Sequence, residues 1–335
     1  MKNIAKLYLM NINLQLFAGV LNTNVTSDSG MTLEMKTFYD MTLIDEASPN
    51  LVHDQFGQKR PIPKNGGKKI EFRKFASLPK ALTALTEGVT PDGKKLTVSS
   101  IEAEVAQYGD YIVQSDVLEL TTIDNTIVEA TKILGRQAGL TLDTITRNIL
   151  QAGTNVWYAP KADGTAVSSR ANLVDGCKLT VDLIKKVVAD LKANNAPKIN
   201  GDYVAIIHPY VAYDLMSDPE WIDAHKYAQP ENIYEGEIGK VAGVRFVETS
   251  EAKVYSGGVF GTLILADGAY GVTEITGGGL ETIVKQKGSA GTADPLNQRS
   301  SIGWKAMKTA EILVQPYMAR IESKSALSAK VTAEN

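Results

Sequence analysis

Few residues in this chain have the type and spacing that chemistry requires. His53, His208 and His225 are the only histidines, and they stand far apart. They make no HExxH motif and no Cys/His zinc spacing. His208 is the most suggestive, because it follows the apolar run Tyr203–Ile207 and active-site groups often sit at strand ends. Pro209 after it favours a plainer reading, a strand-end histidine bonded locally. The stretch Asn65–Lys69 (NGGKK) invites a phosphate loop, yet it lacks GxxxxGK[ST] spacing and precedes a strand pattern rather than a helix. Gly277–Gly279 carries no GxGxxG and reads as a flexible turn. No GxSxG nucleophile elbow and no dense Asp/Asn calcium loop occur. Glu102 and Glu104 fall on one strand face, as carboxylates of ordinary exposed strands do. The single cysteine, Cys177, excludes an intrachain disulfide framework and reads as a small buried hydrophobe. The expectation is a protein that is not an enzyme, without catalytic residues, cofactor or metal, made in a reducing compartment.

The elements that would have to position any site are easier to read. Residues 1–30 lack periodicity and read as a flexible arm. Leu33, Phe38, Met41 and Ile44 give a weak helical pattern ending near Pro49. Lys68–Phe75 and Leu96–Val113 alternate with period two, so two long strands flank a tip from Leu78 to Lys95, with slips near Ser99–Ser100 and Gly109 that suggest bulges. Pro79, Gly88, Pro91 and Gly93 punctuate the tip. Asp124–Ala152 is the strongest helix: Ile127, Leu134, Ala138, Leu142, Ile145 and Ile149 form one stripe, Asp124 or Asn125 caps its start, and Gly153 its end. At 1.5 Å per residue it would run roughly 43 Å. Thr180–Ala193 is a second amphipathic helix capped by Thr180. A strand at Tyr203–Ile207, a short helix at Tyr210–Ser217, and strands at Val244–Val247 and Thr262–Ala266 follow. Ile302–Arg320 is strand-like and is expected to return to the sheet beside the long helix. The order points to an α+β chain around a mixed sheet, with a frayed tail after Lys324 and no internal repeat.

Charge is uneven. The whole chain of 335 residues carries a formal net charge of −3, without the basic footprint of a protein that grips nucleic acid through phosphates. Gly57–Lys95 holds ten cations against three acids, a net of +7, which leaves −10 for the remainder. Tyr210–Ala252 holds nine acids against Lys226, Lys240 and Arg245, a net of −6. A basic arm and an acidic surface on one chain attract between copies and set register. A two-stranded hairpin this long is not stable alone in water, and the surface it needs is expected to be another copy of the chain. MKNIAKLYLMNINLQLF faintly imitates a secretory leader, but Asn11, Asn13 and Gln15 interrupt it and no clear cleavage site follows. Met10 is an alternative start. No apolar run reaches the roughly 18 residues of a membrane span.

One resemblance gathers these features. LVHDQFGQKRPIPKNGGKKIEFRKF, SLPKALTALTEGVTPDGKKL and TVSSIEAEVAQYG resemble the major capsid proteins of tailed bacteriophages. So do the flanking MTLEMKTFYD and LTTIDNTIVEATKILGRQAGLTLDTITRNILQAGTN. More narrowly they look like the N4-type major capsid family, and the likeness covers roughly residues 31–324. It implies the HK97-like fold: an N-terminal arm over 1–56, an extended β-hairpin loop over 57–115, a peripheral domain with the spine helix over 116–177, an axial domain over 178–277, and a return to the peripheral domain with a tail over 278–335. It further implies hexamers and pentamers forming an icosahedral shell around a double-stranded DNA genome, held without sequence-specific binding. The partners would be the chain itself, a separate scaffolding protein and a portal. Assembly would occur in the bacterial cytoplasm and the product would be the virion, with no membrane involved. Candidate intersubunit contacts are the hairpin cations Arg60, Lys64, Lys68, Lys69, Arg73, Lys74, Lys80, Lys94 and Lys95. Some shells of this fold crosslink a loop lysine to a neighbour's asparagine; Lys80, Lys94 and Lys95 qualify by position, but no partner or catalytic acid is identifiable. The alternative is an encapsulin-like bacterial compartment of the same fold that packages an enzyme, and a soluble α+β enzyme is a more distant third.

Overall fold

The computed structural model describes residues 41–331, apart from 42, 48–50, 64, 66, 76–77, 86, 89, 91, 123–125, 227–238, 275–277 and 290–293, together with 334–335. Residues 1–40 of the expected N-terminal arm, and the caps Asp124 and Asn125, therefore lie outside the described residues.

Two sheets and a hairpin organise the chain. The hairpin pairs β2 (Lys69–Phe75) with β3 (Val98–Glu104). The first sheet is built on β13 (Arg299–Ile312), whose alternation puts Ile302, Trp304 and Ala306 on one face. β4 (Ala106–Ser115) pairs along one edge of β13 from Lys308↔Ala106 to Arg299↔Ser115. The other edge carries β12 (Glu281–Lys285) and then β11 (Tyr270–Glu274), with β1 (Gln58–Lys59) parallel beyond β11. After β4 comes a short helix, α1 (Asp116–Thr121), with Ser115 accepting a hydrogen bond from Leu118 N as its cap. The long helix, α2 (Thr126–Leu150), lies on the Ile302–Trp304–Ala306 face and packs Leu134, Ala138 and Leu142 there. Residues 43–47 are helical and add Leu43 to the same cluster.

The second sheet centres on β10 (Val259–Leu265), every residue of which is buried. Its neighbours are β14 (Met318–Ser323) and β6 (Tyr203–Ile207), both antiparallel. β5 (Val156–Tyr158) runs parallel to β14, β8 (Val244–Glu248) runs parallel to β6, and β7 (Lys240–Val241) and β9 (Val254–Tyr255) complete the sheet. The near-continuous apolar run of β6 follows from burial on both faces. The helix α3 (Val181–Ala193) covers this sheet through Ile184, Val187, Val188 and Leu191, with Thr180 capping Leu183 N as expected. Two shorter helices, α4 (Pro209–Met216) and α5 (Pro219–Lys226), bridge β6 towards β8. A third cluster joins the two units through Leu150, Leu263, Leu265, Tyr270 and Met318.

Three expectations need correction. Ser99, Ser100 and Gly109 sit in regular register, opposite Lys74, Arg73 and Lys305, so no bulge occurs there. The interruption is at Val105, where the strand exchanges β2 for β13 as its partner and Val105 N donates to Lys68 O. Gly109 is explained by close approach instead, since a Cβ there would lie 2.6 Å from the Trp304 carbonyl oxygen. The stretch Ile302–Arg320 is not one return strand. β13 ends at Ile312, a 3-10 turn spans Gln315–Tyr317, and β14 crosses to the second sheet. Pro316 has no N–H to continue a ladder, and Leu313 N and Val314 N both turn to Ala269 O. Gly153 lies just beyond the long helix but not in the left-handed region; it leaves room for Met318 Cε, which would sit 3.2 Å from a Cβ.

Candidate assembly surfaces

The hairpin is the part of the molecule least explained by its own subunit. Every described residue from 78 to 100 is exposed. At its base, Phe72 and Ala103 are buried. The Phe72 ring fills a notch in the first sheet that exists because residue 271 is glycine. A Cβ there would lie 2.8 Å from both Cε1 and Cζ of the ring. The Arg60 guanidinium lies 5.8 Å from the ring centroid on the outer side, within the range of a cation–π contact. Gln58, Leu313 and Val314 line the remaining 140 Å³ gap beside the ring.

The segment leading into this base is anchored by polar groups. His53 is fully buried; its backbone N donates to Asp143 Oδ1 (2.7 Å) and its Nδ1 meets Asp143 Oδ2 (2.6 Å). The Tyr270 hydroxyl donates to His53 O, and burial pushes that phenol far above its ordinary range. Next in sequence, Asp54 accepts from Thr146 Oγ1 (2.6 Å) and pairs with Lys308, whose Nζ also donates to Leu142 O (3.0 Å). A buried charge is tolerated only when paired and hydrogen-bonded, and both halves of that condition are met here. Beside this network lies a cleft of about 350 Å³ lined by Leu51, Leu142, Leu280 and Met307. It holds no nucleophile–base pair. Among the described residues no group of three His, Cys, Asp or Glu side chains is placed to hold a metal. His208, the most suggestive histidine by sequence, is a helix cap: its Nδ1 accepts from Tyr210 N (3.1 Å), and its ring packs on Phe260.

The hairpin cations divide by use. Lys69 pairs with Glu102 across the strands (3.4 Å) and Arg73 with Glu71 (3.1 Å), so both are neutralised within the hairpin. The Arg73 guanidinium and the Ser100 hydrogen bond hold the Glu71 carboxyl below its usual range, with the Ser100 bond the larger cause. Arg60 is committed to Phe72. Lys68, Lys80, Lys94 and Lys95 are exposed and make no ion pair among the described residues. Lys64 and the Lys74 side chain lie outside the described residues.

In the acidic run Tyr210–Ala252, four of the described acids are engaged inside their own subunit. Asp214 is buried against Lys178 (3.3 Å) and Ala326 N, Asp218 accepts from Val181 N, Glu220 pairs with Lys185 (2.6 Å) and Glu251 with Arg147 (3.7 Å). Burial raises the Glu248 carboxyl. A different stretch is freer. Residues 106–121 hold Asp110, Asp116 and Glu119 and no lysine or arginine. Only Glu119 meets a described cation, Lys287 (2.9 Å). Sequence reasoning missed this surface because its acids are few; the signal was the absence of any cation beside exposed apolar residues.

Among the described residues no helix is long and apolar enough to cross a membrane. Comparison with curated protein sequences finds no match. Solved structures are similar in fold. The capsid of cyanophage P-SCSP1u aligns with a TM-score of 0.64 at 14% identity, covering 81% of this chain and 87% of that one. The capsid asymmetric unit of cyanophage Pam1 gives 0.62 at 12% identity, covering 83% and 92%. The capsid of Ralstonia phage GP4 gives 0.61 at 12% identity, covering 81% and 87%. The fold is thus the HK97-like capsid fold, with its mixture of helix and strand. The family model described as phage capsid protein matches residues 98–317, most of the chain. The chain belongs to that phage capsid protein family, a family of structural shell proteins.

Proposed function

We propose that this capsid protein assembles as hexamers and pentamers into an icosahedral shell around double-stranded DNA, and that within its family it is of the N4 type. The observation that carries the reading is the exposed hairpin, in which every described residue from 78 to 100 is open to solvent. Such an arm gains stability when a neighbour covers it. The second sheet with α3, α4 and α5 serves as the axial domain that meets its copies at the capsomer centre. The first sheet and α2 serve as the peripheral domain, stiffened by the helix along its length. The hairpin clamps a neighbour, and Lys80, Lys94 and Lys95 supply the charge that steers it. Individual contacts can be weak because closure of the shell makes them multivalent. A net charge of −3 leaves the wall without a basic footprint to hold DNA in place. The partners are further copies, a separate scaffolding protein and a portal; assembly takes place in the host cytoplasm and the product is the virion.

The test is negative-stain electron microscopy with sedimentation, on the chain alone and co-expressed with a scaffold. Rings of six or closed shells are the expected result. Monomers that persist with scaffold present would overturn the proposal.

A further inference from the structure

The hairpin tip carries a pattern that its present conformation does not use. Leu78, Leu82 and Leu85 are spaced i, i+4, i+7, the spacing that lines up one face of a helix. They are 53%, 86% and 76% exposed, and residues 78–85 form no helix. The sequence also punctuates a helix there. Ser77 is a preferred N-cap residue type, Pro79 suits a first turn, Ala81 and Ala84 are strong helix formers, and Gly88 has φ +76°, the conformation of a helix C-terminal glycine. A helix of three turns is not stable by itself in water. It needs an apolar partner.

A matching surface lies at the far end of the same strand run. Tyr108 and Ile112 of β4 pack towards α2, so Tyr111 and Val113 stand on the opposite, uncovered face. They are 68% and 50% exposed, and the chain continues into α1, which buries no residue and exposes Val117, Leu118 and Leu120. Asp116 borders this strip without a described cation, whereas the tip brings Lys80, Lys94 and Lys95; Asp110 faces α2 instead, where it accepts from Gln137 Nε2 (2.6 Å). Tip and strip therefore match in apolar character and in charge. They cannot meet within one subunit. β3 and β4 run end to end, and from Val98 to Tyr111 the extended chain covers roughly 43 Å at about 3.3 Å per residue, with the tip beyond Val98.

We infer that residues 78–88 fold into an amphipathic helix on the 111–120 strip of a second copy, burying Leu78, Leu82 and Leu85 against Tyr111, Val113 and the apolar residues of α1. Because donor and acceptor surfaces differ, the contact is head to tail, which generates rings or open arrays rather than closed pairs. The inference rests on the capsid reading and adds to it the identity and conformation of one contact.

The test places cysteines at Ala81→Cys, on the leucine face of the tip, and at Val113→Cys. Both sites are exposed, and the native Cys177 is buried. The chain is co-expressed with scaffold, oxidised and read by non-reducing gel electrophoresis alongside electron microscopy. Shells with an intermolecular ladder that needs both substitutions support the inference. Shells without the ladder overturn it while leaving the capsid reading intact. Monomers only, for the parent chain as well, overturn both. A second variant, Ala84→Pro, tests the helix. It lies in exposed coil, so the isolated chain keeps its melting temperature, while ladder formation at limiting protein falls at least about tenfold. An unchanged ladder in this variant would overturn the helical form of the contact.

Discussion

The notch that receives Phe72 allows a sharp test of how the hairpin is held. Gly271→Ala places a methyl 2.8 Å from two atoms of the Phe72 ring and 3.5 Å from Leu313 Cδ1. Ordinary carbon contacts are about 3.5–4.0 Å, so the ring must retreat by roughly 1 Å, and β11 cannot give way without breaking its pairing with β13. Overpacking of this kind costs about 1–3 kcal/mol. It falls on the docked hairpin, because a two-stranded hairpin is marginal once undocked. At about 1.4 kcal/mol per factor of ten, the open population rises roughly 5- to 150-fold. Phe72→Ala removes a ring that is only 4% exposed and should cost about 3–5 kcal/mol. In the double variant the clash vanishes with the ring, so the two effects should be sub-additive by about 1–3 kcal/mol. Native-state hydrogen exchange on the amides of β2 and β3 reads this local opening, and those of β6 and β10 serve as an internal reference. Equal exchange in Gly271→Ala and the parent chain, or strict additivity in the double variant, would refute the notch as the hairpin's anchor.

Other outcomes follow from the same geometry. Lys308→Ala strands the Asp54 carboxylate and the Leu142 carbonyl and should cost about 3–5 kcal/mol in chemical denaturation, whereas Lys308→Met combined with Asp54→Leu should recover most of it; equal losses in both would contradict the pairing argument. His208 is half-buried, and its removal from solvent holds the imidazole pKa below its ordinary value of about 6.5. The unfolded chain therefore binds more protons below that value, and stability should decline as pH falls from 6.5 towards the lowered folded value, then level off. His208→Asn, which keeps a capping oxygen, should flatten that part of a melting-temperature profile. Replacing Lys80, Lys94 and Lys95 together by glutamine should slow assembly about tenfold at low ionic strength, measured by light scattering, and the difference should shrink as salt rises; a difference independent of salt would argue against steering.

Local order was legible in the residues themselves. The stripe of Leu134, Ala138 and Leu142 announced the long helix, Thr180 announced the start of α3, and the alternation of Ile70 and Phe72 announced β2, because spacing and caps are settled within a few residues of chain. The HK97-like resemblance was legible too, since it rests on such stretches in order. The anchors were not. Asp143, Thr146 and Arg147 stood in the sequence as polar interruptions near the helix stripe, and only folding brought Asp143 to His53 and Arg147 to Glu251. The acidic run 210–252 read as a surface for the basic arm, and the sequence did not tell that α3 and the C-terminal segment engage Asp214, Asp218 and Glu220 within the subunit. The crossing of β14 into the second sheet and the change of partner at Val105 were equally hidden. Period, caps and breakers depend on neighbours in sequence. Which strand edge or which charge a residue meets depends on segments well beyond its neighbours in sequence, 35 positions away for Glu220 and Lys185 and 90 for His53 and Asp143, and that choice is made only when the whole chain packs.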